Sequence, residues 1–262
     1  MAEVASNVER AAPALRLRGV GRRFGGLDAV RQVDLEVAAG ERRAILGLNG
    51  AGKTTLFNVI SGDLPPSAGT VELFGQDVTH QPARRRAQLG LARTYQQARM
   101  LNGMTVEDSI YLSIVGVVGG HLRPVVLPSR DRALRERARE AARRVAIAHK
   151  LGETVGSLSH GEHRQVGLAM ALASEPRMLM LDEPASGLSR GERQLLTDLL
   201  LELDRDITLI LIEHDMDIAL RVAEQVTMMH EGEVIVEGTP AAIRSNELVH
   251  DLYLGRHHAA DG

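Results

Sequence analysis

Chemistry-bearing residues occur in a fixed order along this chain. Gly47-Leu48-Asn49-Gly50-Ala51-Gly52-Lys53-Thr54 fits the phosphate-loop pattern G-x-x-x-x-G-K-[ST]. Such a loop turns backbone N–H groups inward around the β- and γ-phosphates of a nucleotide, and the helix that follows adds its positive end. Lys53 places a point charge on the β/γ oxygens, and the Thr54 hydroxyl, with Thr55 beside it, stands where Mg²⁺ and phosphate oxygens meet. Further along, the apolar run Met178-Leu179-Met180-Leu181 ends in Asp182-Glu183. A carboxylate at the carboxyl end of a buried strand is placed to hold Mg²⁺, and the next one can orient or deprotonate an attacking water. An Asp-Glu pair can equally cap a following helix; the phosphate loop upstream favours the catalytic assignment.

His214, in Glu213-His214-Asp215, follows the second apolar run Ile207 to Ile212 and is placed to donate to the γ-phosphate. Gln96 ends Arg93-Thr94-Tyr95-Gln96, and its place in the series makes it a candidate for the metal and the γ-phosphate. Phe24, one of few aromatics, lies upstream of the phosphate loop and is a candidate to stack on adenine, against the alternative of a minor core residue. Leu158-Ser159-His160-Gly161-Glu162 completes the series.

Positioning these residues requires an alternation of strands and helices. Leu15–Arg18, Val33–Val37, Ala44–Leu46 and Val71–Phe74 read as strands, and Thr54 to Ile60 as a helix stopped near Gly62 and Pro65-Pro66. Met178–Leu181, Ile207–Ile212, Val226–Met229 and Val234–Glu237 continue the strands, with an amphipathic helix over Gly191–Leu203. The pattern predicts an α/β fold with a mostly parallel core sheet. Between about Gln88 and Arg164 the character becomes helical, with Arg130–Lys150 dense in Arg, Glu and Ala.

The bulk numbers exclude several classes. At 262 residues the chain can bury a full core, and a net charge of −3 offers no surface for nucleic acid. Cysteine is absent, which removes disulfides, thiolate metal sites and Cys nucleophiles. Met1–Ala12 lacks the apolar core of a secretory signal. The most membrane-like stretch, Tyr111–Pro128, is broken by His121, Arg123 and Pro124. Any spanning helices must therefore come from other chains. Of 31 basic residues only Lys53 and Lys150 are lysines, which sharpens the phosphate-loop assignment.

Taken together, these motifs resemble the ATP-binding-cassette transporter ATPases over most of the chain, from Leu15 to Gly255. The resemblance implies a P-loop NTPase core of RecA-like type with an antiparallel β subdomain and an inserted α-helical subdomain over about 88–164. Short tails, 1–14 and 256–262, would flank it. Ser159, Gly161 and Glu162 would be the signature stretch, meeting the γ-phosphate of an ATP held by a second ATPase subunit. Gln96 would sense Mg²⁺ and the γ-phosphate while reporting to a membrane partner. Two departures stand out: the usual L-S-G-G-Q reads Leu158-Ser159-His160-Gly161-Glu162, and the loop after Glu183 carries Ser189 where an Asp is usual.

Within the family, Arg23-Phe24-Gly25-Gly26-Leu27, Arg93-Thr94-Tyr95-Gln96, Glu213-His214-Asp215-Met216 and Tyr253-Leu254-Gly255 are similar to the larger ATPase of branched-chain and hydrophobic amino-acid importers. That implies ATP and Mg²⁺ as cofactors, transmembrane permease partners, an extracytoplasmic substrate-binding protein, and a place at the cytoplasmic face of the inner membrane. Urea and amide importers share most of these segments, and lipid or lipopolysaccharide exporters share the terminal Tyr-Leu-Gly. Soluble cassettes acting on DNA or ribosomes, and small-molecule kinases, fit the motif set less well. From about Gln97 to Gly120 the chain is rich in apolar residues, Met100, Leu101, Met104, Val106, Ile110, Leu112, Ile114 and Val115. Some must build the core of the helical insertion, while the methionines near Gln96 suit a groove, where the resemblance implies that a short permease helix docks.

Overall fold

Buried parallel strands read as continuous apolar runs because both faces are covered, and alternate residues of each run belong to different cores. In the computed structural model, which describes residues 12–94, 103–118 and 128–253, this holds for Met178–Leu181 and Leu209–Ile212. The elements run β1 (Leu15–Phe24), β2 (Leu27–Val37), β3 (Arg42–Gly47), α1 (Lys53–Ser61), β4 (Ala68–Leu73), β5 (Gln76–Asp77), α2 (Ala83–Gln88) and β6 (Leu91–Thr94). The helical insertion follows with α3 (Val106–Val118), α4 (Pro128–Arg144) and α5 (His160–Leu172). The chain then returns through β7 (Met178–Asp182), α6 (Arg190–Leu201), β8 (Thr208–Ile212), α7 (Met216–Val222), β9 (Gln225–His230), β10 (Glu233–Gly238), α8 (Pro240–Arg244) and α9 (Glu247–Tyr253).

Among the described residues the strands form two sheets. One, in the order β10-β9-β3-β8-β7-β6, is parallel except for the antiparallel edge strand β10. The other, β2-β1-β4-β5, is antiparallel. Leu179, Leu181, Leu209 and Leu211 pack toward the helical insertion and α6. Their neighbours Met178, Met180, Ile210 and Ile212 pack toward α1 and the antiparallel sheet. A smaller core joins Ala44, Leu46, Val226 and Met228 to α7, α8 and α9.

Three expectations are corrected. The stretch 88–164 is not helical from its start: Leu91–Thr94 is the edge strand of the parallel sheet, in register with Met178–Leu181, so the insertion begins after Thr94. Lateral hydrogen bonding to β7, invisible in so short a run, fixes it as a strand. The antiparallel strands are also longer than the alternation indicated, since β1 and β2 form one hairpin that closes at Gly25-Gly26. The long Arg-rich helix ends at Arg144, short of Lys150, and short 3₁₀ turns lead on to α5.

Candidate nucleotide and metal site

β3 delivers the phosphate loop and α1 starts at Lys53 itself. Gly52 takes φ 95°, and a Cβ there would run into the Ala29 carbonyl, so only glycine fits. The loop curls around the Lys53 ammonium, which donates to the Gly47 carbonyl at 2.6 Å and the Leu48 carbonyl at 3.1 Å. Burial pushes the Lys53 pKa down, and the charges of Glu183 and Asp182 act against that shift. A cleft of about 610 Å³, within the usual range of small-molecule sites, is lined by Phe24, Asn49, Lys53, Thr54 and Glu183 among others. Gly50, Ala51, Gly52 and Thr55 also line it.

Phe24 thus shares a cleft with the phosphate loop, and the residue is 43 % exposed. It is not free of other contacts: the Arg22 guanidinium carbon lies 4.6 Å from the ring centroid, so one face is already stacked. Phe24→Ala is expected to weaken ATP binding by one to two powers of ten, from stacking worth roughly 1–3 kcal/mol. Its melting temperature should stay that of the parent, because the ring is outside the cores. Titration calorimetry with ATP checks this; unaltered affinity, or a collapsed melting temperature, would return Phe24 to a packing role.

Asp182 closes β7 and is 4 % exposed. Its Oδ2 accepts from Arg93 Nη2 at 3.0 Å, while its buried Oδ1 has no hydrogen-bond partner. Burial pushes its pKa up, and Arg93 opposes the rise. Glu183 holds a left-handed backbone, φ 45°, uncommon outside glycine and costing of order 1–3 kcal/mol. Its N–H donates to the Ile212 carbonyl at 2.9 Å, which ties the strained residue to the end of β8. Its carboxylate lies 3.9 Å from Nδ1 of His214, a side chain 57 % exposed. The acid and the imidazole therefore face one another across the ends of adjacent strands.

Glu213, cited in sequence only as a flank of His214, is fully buried. Its Oε1 accepts from the Ala185 N–H at 2.9 Å, joining the turn after Glu183 to the turn that carries His214. Burial raises its pKa. Asp215 caps α7 through the amides of Asp217 and Ile218. Gln96 lies outside the described residues.

The stretch Leu158–Glu162 stands apart from the phosphate loop. Ser159 caps α5: its hydroxyl accepts from the Glu162 N–H at 3.3 Å, and the Glu162 carboxylate accepts from the Ser159 N–H at 2.7 Å. Ser159, Gly161 and Glu162 line a separate depression with Arg164, Leu188 and Glu192. His160 packs against Gly187, with its Nε2 3.3 Å from the Ser186 carbonyl. Ser189 repeats the capping box at the start of α6, with Glu192 as its partner. Ser and Asp are comparable N-caps, so the usual aspartate is replaced without loss of the cap, although its charge is gone.

The arrangement suits a nucleoside triphosphate, with amides and a lysine on the phosphates, and a carboxylate and an imidazole at the strand ends beyond. A family profile described as ABC transporter matches residues 30–186, and one described as branched-chain amino acid ATP-binding cassette transporter matches residues 233–259. The chain is 35% identical over 253 residues to the Escherichia coli K12 high-affinity branched-chain amino acid transport ATP-binding protein LivG, covering 93% of this chain and 98% of that one. To BraF of Pseudomonas aeruginosa, which has the same description, it is 32% identical over 250 residues, with the same coverage. The crystal structure of the ADP conformation of MJ1267, an ATP-binding cassette of an ABC transporter, superposes with a TM-score of 0.80 at 29% identity, covering 93% of this chain and 99% of that one. With its motifs, fold and relatives in agreement, the chain belongs to the ABC transporter family and is one of its ATP-hydrolysing, ATP-binding subunits.

Proposed function

We propose that this chain is the motor of an importer for branched-chain or other hydrophobic amino acids. It works as an ATP-bridged pair of ATPase subunits on the cytoplasmic side of a transmembrane permease, which an extracytoplasmic receptor supplies. The observation that carries the cargo assignment is the match of residues 233–259, a segment that includes β10, α8 and α9, to a branched-chain amino-acid profile. That segment lies beyond the motifs shared by all cassettes. No helix of the described residues is long and apolar enough to cross a membrane, so the membrane passage falls to partner chains in this reading.

Two features support the pair. The residues that would meet a γ-phosphate, Ser159 and Gly161, lie in a depression separate from the chain's own phosphate loop, so a second copy would complete each site. The N-terminus of α5 also presents amides and a positive dipole end to an incoming anion. Mg²⁺ fits the donor set: Asp182 Oδ1 is a buried carboxylate oxygen lacking any other partner, and the Thr54 hydroxyl stands exposed in the first turn of α1. Magnesium favours such sites, with few protein oxygens and the rest from phosphates and water. It would neutralise charge on the β- and γ-phosphates.

The apolar residues that follow Gln96 divide between core and surface. Val106, Ile110 and Ile114 are fully buried core of the helical insertion and cannot line a groove. Val115 packs against that core, Met104 is half-buried and Leu112 is exposed. Met100 and Leu101 lie outside the described residues. The apolar cleft in this region, about 460 Å³, runs instead between α2, β6, α3 and α5, with Ala87, Leu91, Ser113, Val117 and Met170 in its walls. A permease segment fits here.

The test is uptake in a strain of the source organism lacking this chain. Labelled leucine uptake should be lost and restored by the wild-type gene; retained leucine uptake with lost urea uptake would make it an amide importer instead. Val117→Glu should restore less than about a tenth of the uptake, consistent with a buried interface contact worth on the order of 2 kcal/mol, while purified protein keeps its basal hydrolysis. Normal uptake with Val117→Glu would remove the cleft from the permease interface.

A further inference from the structure

Arg93 sits on the edge strand β6, yet its side chain is only 6 % exposed. Its guanidinium joins two parts of the nucleotide site. Nη2 donates to Asp182 Oδ2 at 3.0 Å. Nη1 reaches Asn58 Oδ1 at 2.7 Å, Ser61 Oγ at 2.9 Å and Asp63 Oδ2 at 3.0 Å. Asn58 and Ser61 belong to α1, the helix whose first turn carries Lys53 and Thr54. The guanidinium carbon lies 5.7 Å from the centroid of the buried Phe57 ring, so an aromatic face backs the fork. A planar group with donors in fixed directions can hold a carboxylate and a helix at once; a lysine, a point charge on a flexible stem, cannot.

A carboxylate rotates about its terminal torsion, and either oxygen can turn toward a cation. In Asp182 the choice is already made, since Oδ2 is engaged by Arg93 and Oδ1 is the buried oxygen left without a partner. We propose that Arg93 is a positioning residue for the nucleotide-bound divalent cation. By pinning Oδ2 it fixes Oδ1 as the acceptor for the metal and sets its placement against the phosphate-loop helix. The inference rests on the magnesium reading above. A purely architectural ion pair would hold the same groups together but would leave metal affinity untouched.

The experiment uses the purified full chain and its Arg93→Lys and Arg93→Gln variants. ADP affinity is measured by calorimetry in EDTA and in saturating Mg²⁺, and Mn²⁺ binding in the presence of ADP by electron paramagnetic resonance. Partners that orient a metal ligand are typically worth 10–100-fold in metal affinity. Arg93→Gln should therefore lose about tenfold of the Mg²⁺-dependent gain in ADP affinity, with Mn²⁺ half-saturation rising by a similar factor. Arg93→Lys should recover part of it. ADP affinity in EDTA should stay within about twofold of wild type in both, because Arg93 does not line the nucleotide cleft.

Wild-type metal gain in both variants would overturn the proposal while sparing the magnesium reading. A wild-type protein whose ADP affinity ignores Mg²⁺ would overturn both. Equal weakening with and without Mg²⁺, or failure of both variants to fold, would make Arg93 an architectural ion pair and also overturn the proposal.

Discussion

Glu183→Gln is expected to bind ATP as tightly as the parent and to turn it over about two to four powers of ten more slowly, the usual range for losing a positioned general base. The substitution keeps the side-chain volume and the backbone anchor to Ile212 but removes the proton acceptor. Blocked after binding, the protein should accumulate as an ATP-bound dimer on size-exclusion chromatography. Lys53→Ala fails earlier. Its ammonium is the buried charge around which the loop is folded, so tight ATP binding should be lost along with hydrolysis. Single-turnover kinetics separates the two variants. Near-normal turnover in Glu183→Gln would take the catalytic role from that carboxylate.

Arg86→Met should be the most damaging substitution far from the chemistry. Arg86 is 1 % exposed, and its Nη1 donates at 2.7 Å to both the Val59 and Ile60 carbonyls, in the last turn of α1. Nη2 reaches the Thr79 carbonyl and Nε the Gln81 carbonyl. Burial lowers its pKa to about 10, so it remains a cation at neutral pH and sits at the negative end of the helix dipole. Methionine fills the space but strands several buried carbonyls at about 1–3 kcal/mol each. A net loss of about 3–5 kcal/mol is expected, equivalent to roughly 10 °C in melting temperature for a chain of this size. Arg86→Lys should recover only part of it. A melting curve within about 1 °C of wild type would show that the carbonyls find water instead.

What could be read from the sequence follows how local each signal is. The phosphate loop was legible because its glycines answer backbone demands within eight positions, as Gly52 shows. The runs ending in Asp182 and His214 were legible because a strand buried on both faces is apolar throughout. β6 was not, since Leu91-Ala92-Arg93-Thr94 has neither alternation nor length, and its pairing with β7 joins segments on opposite sides of the helical insertion. Arg93, in sequence, is no more than a neighbour of Gln96. A basic residue in a polar-looking stretch reads as surface until Asp182 and α1 are placed around it. Glu213 hid similarly, its burial depending on the turn at Ala185. Which apolar residues after Gln96 are core is hidden for the opposite reason: apolarity does not distinguish a residue packed inward, such as Ile110, from one lining a cleft, such as Val117.

The placement of β3 at the middle of the parallel sheet also bears on how the chain is made. Arg42 to Ile45 pair on one side with Leu209 to Ile212, and Arg43 to Gly47 on the other with Gln225 to Met229. The segment that shapes the phosphate loop is translated early, but both its neighbours leave the ribosome near the end of synthesis. At about 5–20 residues per second, the nascent β3 waits many seconds without partners, its apolar residues exposed. The helical insertion, built from elements close in sequence, can gather sooner because closing short loops costs less. Nucleotide affinity therefore emerges last, and a chain truncated before β8 would carry an intact phosphate-loop motif on a strand with neither of its neighbours.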